Sequence, residues 1–142
     1  MRFSGKYASD DGKCLIKGGT LIAFAPADIM SYTIPDLVTT IGDSAFENCI
    51  CLRDIVISKN VNLIGEKAFY ECNNLISIIF DSLEPPYFHV FDYYQGSFCW
   101  DALSYHSSER KIFVPEESLD KYHNSSYLDT YSECILGYNN KK

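Results

Sequence analysis

The chain lacks any apolar run long enough to cross a membrane, since its longest strongly apolar runs, such as residues 75–80, are far too short. It also lacks an excess of basic residues: it has 12 basic and 19 acidic residues, which gives a net charge of −7 at neutral pH. That balance argues against binding to nucleic acid or to an anionic membrane surface. The N-terminal residues contain no apolar stretch before a small-residue cleavage site, so no signal peptide is visible.

Motifs for catalysis and for metal binding are missing too. Cys49 and Cys51 form a C-x-C pair that no second pair mirrors, which fits neither a zinc site nor a disulfide framework. The three histidines occur in unrelated contexts, without an H-E-x-x-H motif. Cys99 and His106 are compatible with a thiol–imidazole pair, but no third group stands out to orient them. The sequence therefore predicts no cofactor, no metal site and no catalytic residue.

The chain does contain the material for a packed core. Hydrophobic residues make up 46% of it and aromatic residues 15%, which excludes intrinsic disorder. A length of 142 residues fits a single domain.

The most informative feature is an internal repeat: residues 34–56 and residues 57–79 are the same segment written twice, at an offset of 23. Nine pairs are identical, and none of them is charged: Ile34/Ile57, Val38/Val61, Ile41/Ile64, Gly42/Gly65, Ala45/Ala68, Phe46/Phe69, Cys49/Cys72, Leu52/Leu75 and Ile55/Ile78. A unit of this length buries its apolar side only by stacking on another copy, which predicts a β-rich solenoid of parallel strands. Cys49 and Cys72, at the same repeat position, are then predicted to form a ladder of buried thiols in preference to a disulfide.

Each repeat divides into a strand, a second short extended piece and a compact turn. Leu52, Ile55 and Ile57 have the L-x-x-L-x-L spacing of a repeat strand, so Asp54 and Val56 face outward by alternation. Ser77 and Ile79 are their equivalents in the second copy. Gly42 and Gly65 follow the second extended piece, where a side chain would crowd the backbone. Residues 43–49 are predicted to form a single helical turn.

The segments outside the repeats are predicted to close the two ends of the stack. Residues 7–16 and 20–25 read as a β-hairpin, and residues 30–34 as a first strand, so that 1–33 form an N-terminal cap. The two repeats occupy 34–80 and stop at Pro85 and Pro86. Residues 81–142 form an aromatic loop and an α/β C-terminal cap, with a strand at 111–115, helices at 118–122 and 127–135, and an end to the fold at 136–138.

These residues resemble the BspA-type leucine-rich-repeat family of bacterial surface proteins. Its unit runs roughly I-P-x-x-V-x-x-I-G-x-x-A-F-x-x-C-x-x-L-x-x-I-x-I, and residues 34–57 match it; in the second copy Ser58 replaces the proline. The resemblance implies a short leucine-rich-repeat solenoid at the cell surface or secreted, in a gut-type bacterium, that acts in adhesion or in binding proteins or glycans. The chain departs from the family in having only two complete repeats and an enlarged aromatic stretch.

Two regions are candidate binding sites. One is the outward strand face, with Asp54, Val56, Ser77 and Ile79; its alternative is an ordinary sheet surface, or one covered by the hairpin or the aromatic loop. The other is the aromatic stretch, where Tyr93, Tyr94 and Trp100 would stack on sugar rings or anchor a protein; its alternative is that the rings plug the last coil.

The sequence therefore predicts a noncatalytic module that binds a protein or glycan. The alternatives are a domain that assembles with copies of itself and, as a third possibility, a cysteine-dependent enzyme.

Overall fold

Ten short strands and little helix make up the described part of the chain. The computed structural model describes residues 2–25, 28–89, 110–126 and 128–139. The strands are β1 (Cys14–Lys17), β2 (Thr20–Phe24), β3 (Ser31–Thr33), β4 (Thr40–Ile41), β5 (Asp54–Ile57), β6 (Leu63–Ile64), β7 (Ser77–Phe80), β8 (Tyr87–Phe88), β9 (Lys111–Pro115) and β10 (Ile135–Tyr138). One α-helix, α1 (Leu119–His123), lies between two 3₁₀ helices. Glu116–Ser118 directly precedes it and Asp129–Cys134 follows it.

The strands form two sheets of five. The first sheet has the order β1-β2-β4-β6-β8, and the second sheet has the order β10-β9-β7-β5-β3. All neighbours pair in parallel except β1 and β2, which form an antiparallel hairpin turned by Gly18 and Gly19. The hairpin confirms the predicted turn, but the first strand begins at Cys14 instead of residue 7. Residues 7–13 are mostly turns because Asp11 and Ser9 bond to nearby backbone N–H groups.

The repeat offset appears directly in the strand register. Tyr32 lies beside Ile55, and Ile55 lies beside Ile78, each pair being separated by the repeat period. The inward side chains are fully buried, with Ile55 and Ile78 both 0% exposed. Phe46 stacks on Phe69 with ring centroids 5.0 Å apart, so equivalent residues of the two repeats do form a ladder. A Phe24 ring continues that ladder at 4.7 Å from Phe46.

The helical turn predicted for residues 43–49 is wrong: the segment is a run of hydrogen-bonded turns. Ser44 and Asn48 have positive φ angles of 57° and 64°, which no right-handed helix permits. Their amides, together with that of Phe46, donate to the carbonyls of the following repeat, at Glu66, Tyr70 and Ala68. The amides between them, such as that of Glu47, donate within the same repeat, so the hydrogen bonds of the segment alternate between its own repeat and the next. A helix would have kept all of them within one repeat.

Gly42 and Gly65 stand where the backbone of adjacent repeats comes closest. A Cβ on Gly42 would lie 2.9 Å from the carbonyl oxygen of Leu21, and one on Gly65 would lie 2.6 Å from the amide nitrogen of Asp43. These contacts confirm that crowding, rather than an unusual φ angle, selects glycine there.

Two more strands follow Pro85 and Pro86, where the repeats were predicted to stop. The strand predicted at residues 111–115 is confirmed as β9, which pairs with β7, whereas β8, which pairs with β6, had not been predicted. The partner of Ile79 is Phe113, an offset of 113 − 79 = 34, so this connection is longer than one repeat.

The C-terminal segment also differs from the prediction. A helix had been predicted at residues 127–135, but the 3₁₀ helix ends at Cys134 and Ile135 begins strand β10. Residues 136–138, predicted as the end of the fold, form the rest of this last strand. Ile135 lies beside Ile112, an offset of 135 − 112 = 23, so the final strand returns to the repeat period. Between them, the fully buried Tyr122 packs its ring 5.4 Å from Phe80 and donates to the carbonyl of Ser82 at 2.8 Å.

Candidate binding face

The outer surface of the second sheet brings together the four strand residues predicted from the sequence. Asp54, Val56, Ser77 and Ile79 all point away from the core, because their neighbours Ile55 and Ile78 point into it. The strand register sets them in two columns. Asp54 lies beside Ser77, and Val56 lies beside Ile79.

One column is polar and the other is apolar. The polar column consists of Ser31, Asp54, Ser77 and Lys111. Within it, the Ser31 hydroxyl donates to a carboxylate oxygen of Asp54 at 3.2 Å. The apolar column begins at Thr33 and continues through Val56, Ile79, Phe113 and Leu136.

Sequence reasoning missed the last part of both columns. Lys111, Phe113 and Leu136 extend the face over β9 and β10. The longer offset before Phe113 hid it from a search at the repeat period, but Leu136 follows Phe113 at that same period, 136 − 113 = 23. A second search for residues 23 positions apart, started from Lys111–Pro115, would have paired Phe113 with Leu136.

The size of this face limits what it can bind. Five strands spaced about 4.8 Å apart span roughly 19 Å, and four residues at about 3.3 Å each span roughly 13 Å. The product, about 250 Å², falls well below the roughly 800 Å² that a standard protein partner covers on each side. The face alone fits a small ligand or a weakly bound protein.

Tyr93, Tyr94 and Trp100, the aromatic candidates, lie outside the described residues, and so do Cys99 and His106. The other five cysteines are present as thiols. Cys49 and Cys72 are buried, as predicted for a thiol ladder, and Cys72 donates to the carbonyl of Phe46 at 2.9 Å. Cys51 is exposed.

The described part of the chain also contains open grooves. One, of about 370 Å³, is lined by the turns at Tyr7 and Asp11 and by Leu37. Another, of about 470 Å³, lies where β7, β9 and β10 end and is lined by Asp81, Glu116, Glu117 and neighbouring apolar residues. Across the described ranges, no three histidine, cysteine or acidic side chains cluster closely enough to hold a metal ion.

No helix in the part of the chain that the structure covers has the length and hydrophobicity needed to span a bilayer. A comparison with curated proteins found no match. The model of the family described as "BspA type Leucine rich repeat region (6 copies)" matches residues 22–99, a span that includes β3 to β8 and the last three residues of β2. The matched span covers more than half of the chain, and the sequence prediction of the family is confirmed. The chain belongs to the BspA-type leucine-rich-repeat family.

Proposed function

We propose that this chain is a noncatalytic binding module at a bacterial cell surface, or secreted from it, and that the outer face of its second sheet holds a protein or glycan partner. Its family is typically surface-associated, and leucine-rich-repeat domains often bind proteins. The observation that carries the proposal is the pair of columns: an apolar row through Val56 and Ile79 beside a polar row through Asp54 and Ser77.

Such a pair of rows suits a ligand that has one apolar and one hydrogen-bonding side. The half-buried Val56, Ile79 and Phe113 would lose apolar surface to the partner, at about 25 cal/mol for each Å² removed from water. Asp54 and Ser77 would then fix its orientation through hydrogen bonds. Tyr93, Tyr94 and Trp100 remain proposed contributors, since aromatic rings stack on sugars and anchor proteins.

The arrangement of the whole chain is part of the same proposal. We treat residues 1–142 as one leucine-rich-repeat domain, with a hairpin cap and first strand at residues 1–33, two repeats at 34–80, and a C-terminal part at 81–142 whose described strands β8 to β10 extend the two sheets. A cluster of buried residues that runs from Cys14 to Ile135 supports a single domain.

The test is an array of glycans and host proteins, probed with the wild type and with the double variant Val56→Glu/Ile79→Glu. These substitutions put two carboxylates into the apolar row, and we expect the wild-type signals to fall to background. Ile22→Glu is the matched control, because Ile22 is a 46% exposed strand residue of the first sheet. An array without any wild-type signal, or a double variant that binds like the control, would overturn the proposal.

The enzyme alternative is tested by alkylation of the native protein with iodoacetamide at neutral pH. Cys14, Cys49 and Cys72 are buried and should not react, while the exposed Cys51 should react at the rate of an ordinary thiol. A cysteine that reacts much faster would support a nucleophile and count against a noncatalytic module.

A further inference from the structure

Among the residues that the structure describes, the last strand, β10, is an edge strand without the protections that sheets normally carry at their edges. Exposed edges are usually shortened, charged, bulged or covered, because their unpaired backbone groups recruit other chains. At the far end of the first sheet, β1 contains a bulge between Leu15 and Ile16 and is covered by residues 7–9, through bonds such as that from the Ile16 amide to the Tyr7 carbonyl at 2.7 Å. The opposite edge of the second sheet, β3, has three residues, two of them polar.

By contrast, β10 reads Ile-Leu-Gly-Tyr, without charge, proline or bulge, and pairs with β9 in regular register along its full length. The register also shows which groups point outward. The Lys111 amide donates to the Ile76 carbonyl, so residues 111 and 113 of β9 bond to β7, while 112 and 114 bond to β10.

In β10 the same alternation turns the backbone groups of Leu136 toward β9 and leaves those of Gly137 facing the open edge. The Gly137 N–H and C=O, and the carbonyl of Ile135, point away from the sheet. The Ile135 amide donates a hydrogen bond to the carbonyl of Ser132, so it is not available to an added strand.

Charge and shape around this edge favour a particular occupant. A Cβ on Gly137 would collide with the carboxylate of Glu116, which places a negative group on the inward side of the edge. Glu117 and Asp81 line the groove at the carboxyl ends of the last strands. On the outward side, Leu136 is 43% exposed and ends the apolar column. An added strand therefore meets carboxylates with one set of alternate side chains and an apolar row with the other.

We propose that β10 binds an extended, basic segment of a partner protein by strand addition, with lysines or arginines facing inward and apolar residues facing outward. A second copy of this chain is a poorer occupant, because it brings its own Glu116 and Glu117 against those already present. A four-residue edge also offers much less than the roughly 1,200 Å² of total buried area that a specific dimer needs. This surface is distinct from the centre of the outer face, although both include Leu136.

The probe is the peptide acetyl-Lys-Val-Lys-Val-Lys-Val-Lys-amide, titrated into isotopically labelled full-length protein by NMR. We expect chemical-shift changes to concentrate at Ile135–Tyr138 and binding to weaken as salt is added. The corresponding glutamate–valine peptide should bind about tenfold more weakly, the effect of about two exposed ion pairs.

Four variants test the location of the site. Leu136→Lys places a lysine on the edge strand, as natural proteins often do to prevent strand addition, and should abolish binding of the Lys–Val peptide. Thr33→Lys, at the opposite edge of the same sheet, should leave this binding unchanged. Glu116→Gln/Glu117→Gln preserves shape and should weaken binding about tenfold. Val56→Glu/Ile79→Glu should not weaken it, because it changes strands away from the edge; this separates the present inference from the proposed function.

Four results of the peptide titrations would overturn the inference. They are shift changes that map elsewhere, equal binding of the glutamate peptide, retained binding by Leu136→Lys, and loss of binding in Val56→Glu/Ile79→Glu. Concentration-dependent self-association that Leu136→Lys abolishes, with no peptide binding, would identify a second copy as the occupant and would equally overturn it.

Discussion

The ring of Phe46 lies between two other rings at the centre of the stack, and is completely buried. Contacts with Phe24 on one side and Phe69 on the other tie the hairpin to both repeats. Rings stacked at this distance contribute beyond the area that they bury. Loss of the Phe46 ring should therefore weaken the packing of the hairpin and of both repeats.

We expect Phe46→Ala to lower the free energy of unfolding by about 3–5 kcal/mol, the usual cost of removing a buried phenyl ring. Urea denaturation followed by circular dichroism measures this. Ile50→Ala is the control, since Ile50 is 59% exposed and its truncation should stay within about 0.5 kcal/mol of the wild type. A Phe46→Ala variant as stable as the control would mean that the ladder contributes nothing to stability.

Cys14 is a buried thiol whose ionisation should be visible in the pH dependence of stability. Its sulfur lies 3.0 Å from the Tyr32 hydroxyl, and burial raises its pKa from an ordinary value of 9.0 to about 11. The unfolded chain loses this proton at a lower pH than the native protein does. The native state therefore binds more protons between about pH 9 and 11, and the free energy of unfolding falls as the pH rises through that window.

We expect this residue to account for about 2 kcal/mol of the alkaline loss. Denaturation at half-unit intervals from pH 8 to 11 should show a shallower decline for Cys14→Ala than for the wild type. Cys51→Ala, at an exposed position, should decline in parallel with the wild type. Identical slopes for all three proteins would contradict the assignment.

At the scale of elements, the turns after Gly42 and Gly65 contain residues poorly suited to their backbone. Ser44, Asn48, Lys67 and Glu71 all have φ angles between 55° and 64°. Among these only asparagine is a residue type that readily adopts the left-handed region. The first repeat thus has a suitable residue at a position where the second repeat has Glu71.

The repeats supply their own matched pair of substitutions for this position. Glu71→Asn should raise the free energy of unfolding by up to about 1 kcal/mol, and Asn48→Glu should lower it by a similar amount, because the two positions are equivalent. Thermal melting followed by circular dichroism measures both. Shifts of the same sign in the two variants would show that side-chain contacts outweigh the backbone effect.

The repeat strands could be predicted from the sequence, because burial at alternate positions leaves a pattern that the fixed repeat spacing makes unmistakable. The four outward residues of the face followed from that same alternation. The turns could not be predicted, since Asp43 to Cys49 carries apolar spacing typical of a helix. The segment is not helical because alternate amides donate to carbonyls of the next repeat. These hydrogen bonds between repeats cannot be inferred from the sequence of one repeat.

The C-terminal part shows a second limit. Pro85 and Pro86 exclude a strand at their own positions but not in the residues just after them, where β8 begins at Tyr87. The long connection to β9 then broke the register on which the prediction relied. The register resumes between β9 and β10, where Ile112 pairs with Ile135 at the repeat period of 23.

At the scale of the whole molecule, each strand of the second sheet forms ladder hydrogen bonds only with the strands beside it, and each repeat interacts mainly with its neighbours, as in repeat proteins generally. β5 and β7 have a strand on both sides, whereas β10 has one neighbour, β9, in the described part of the chain. Stability should therefore decrease from the centre of the sheet toward β10.

Native-state hydrogen exchange tests the gradient. We expect the amides of β5 and β7 to exchange only through global unfolding, with rates that rise steeply with added denaturant. Amides of β10 should exchange at least about tenfold faster, through local fraying that depends little on denaturant. The Lys–Val peptide should slow exchange in β10 and leave β5 unchanged. Equal protection and equal denaturant dependence in all three strands would mean that the sheet opens as one unit, and that β10 is not an accessible edge.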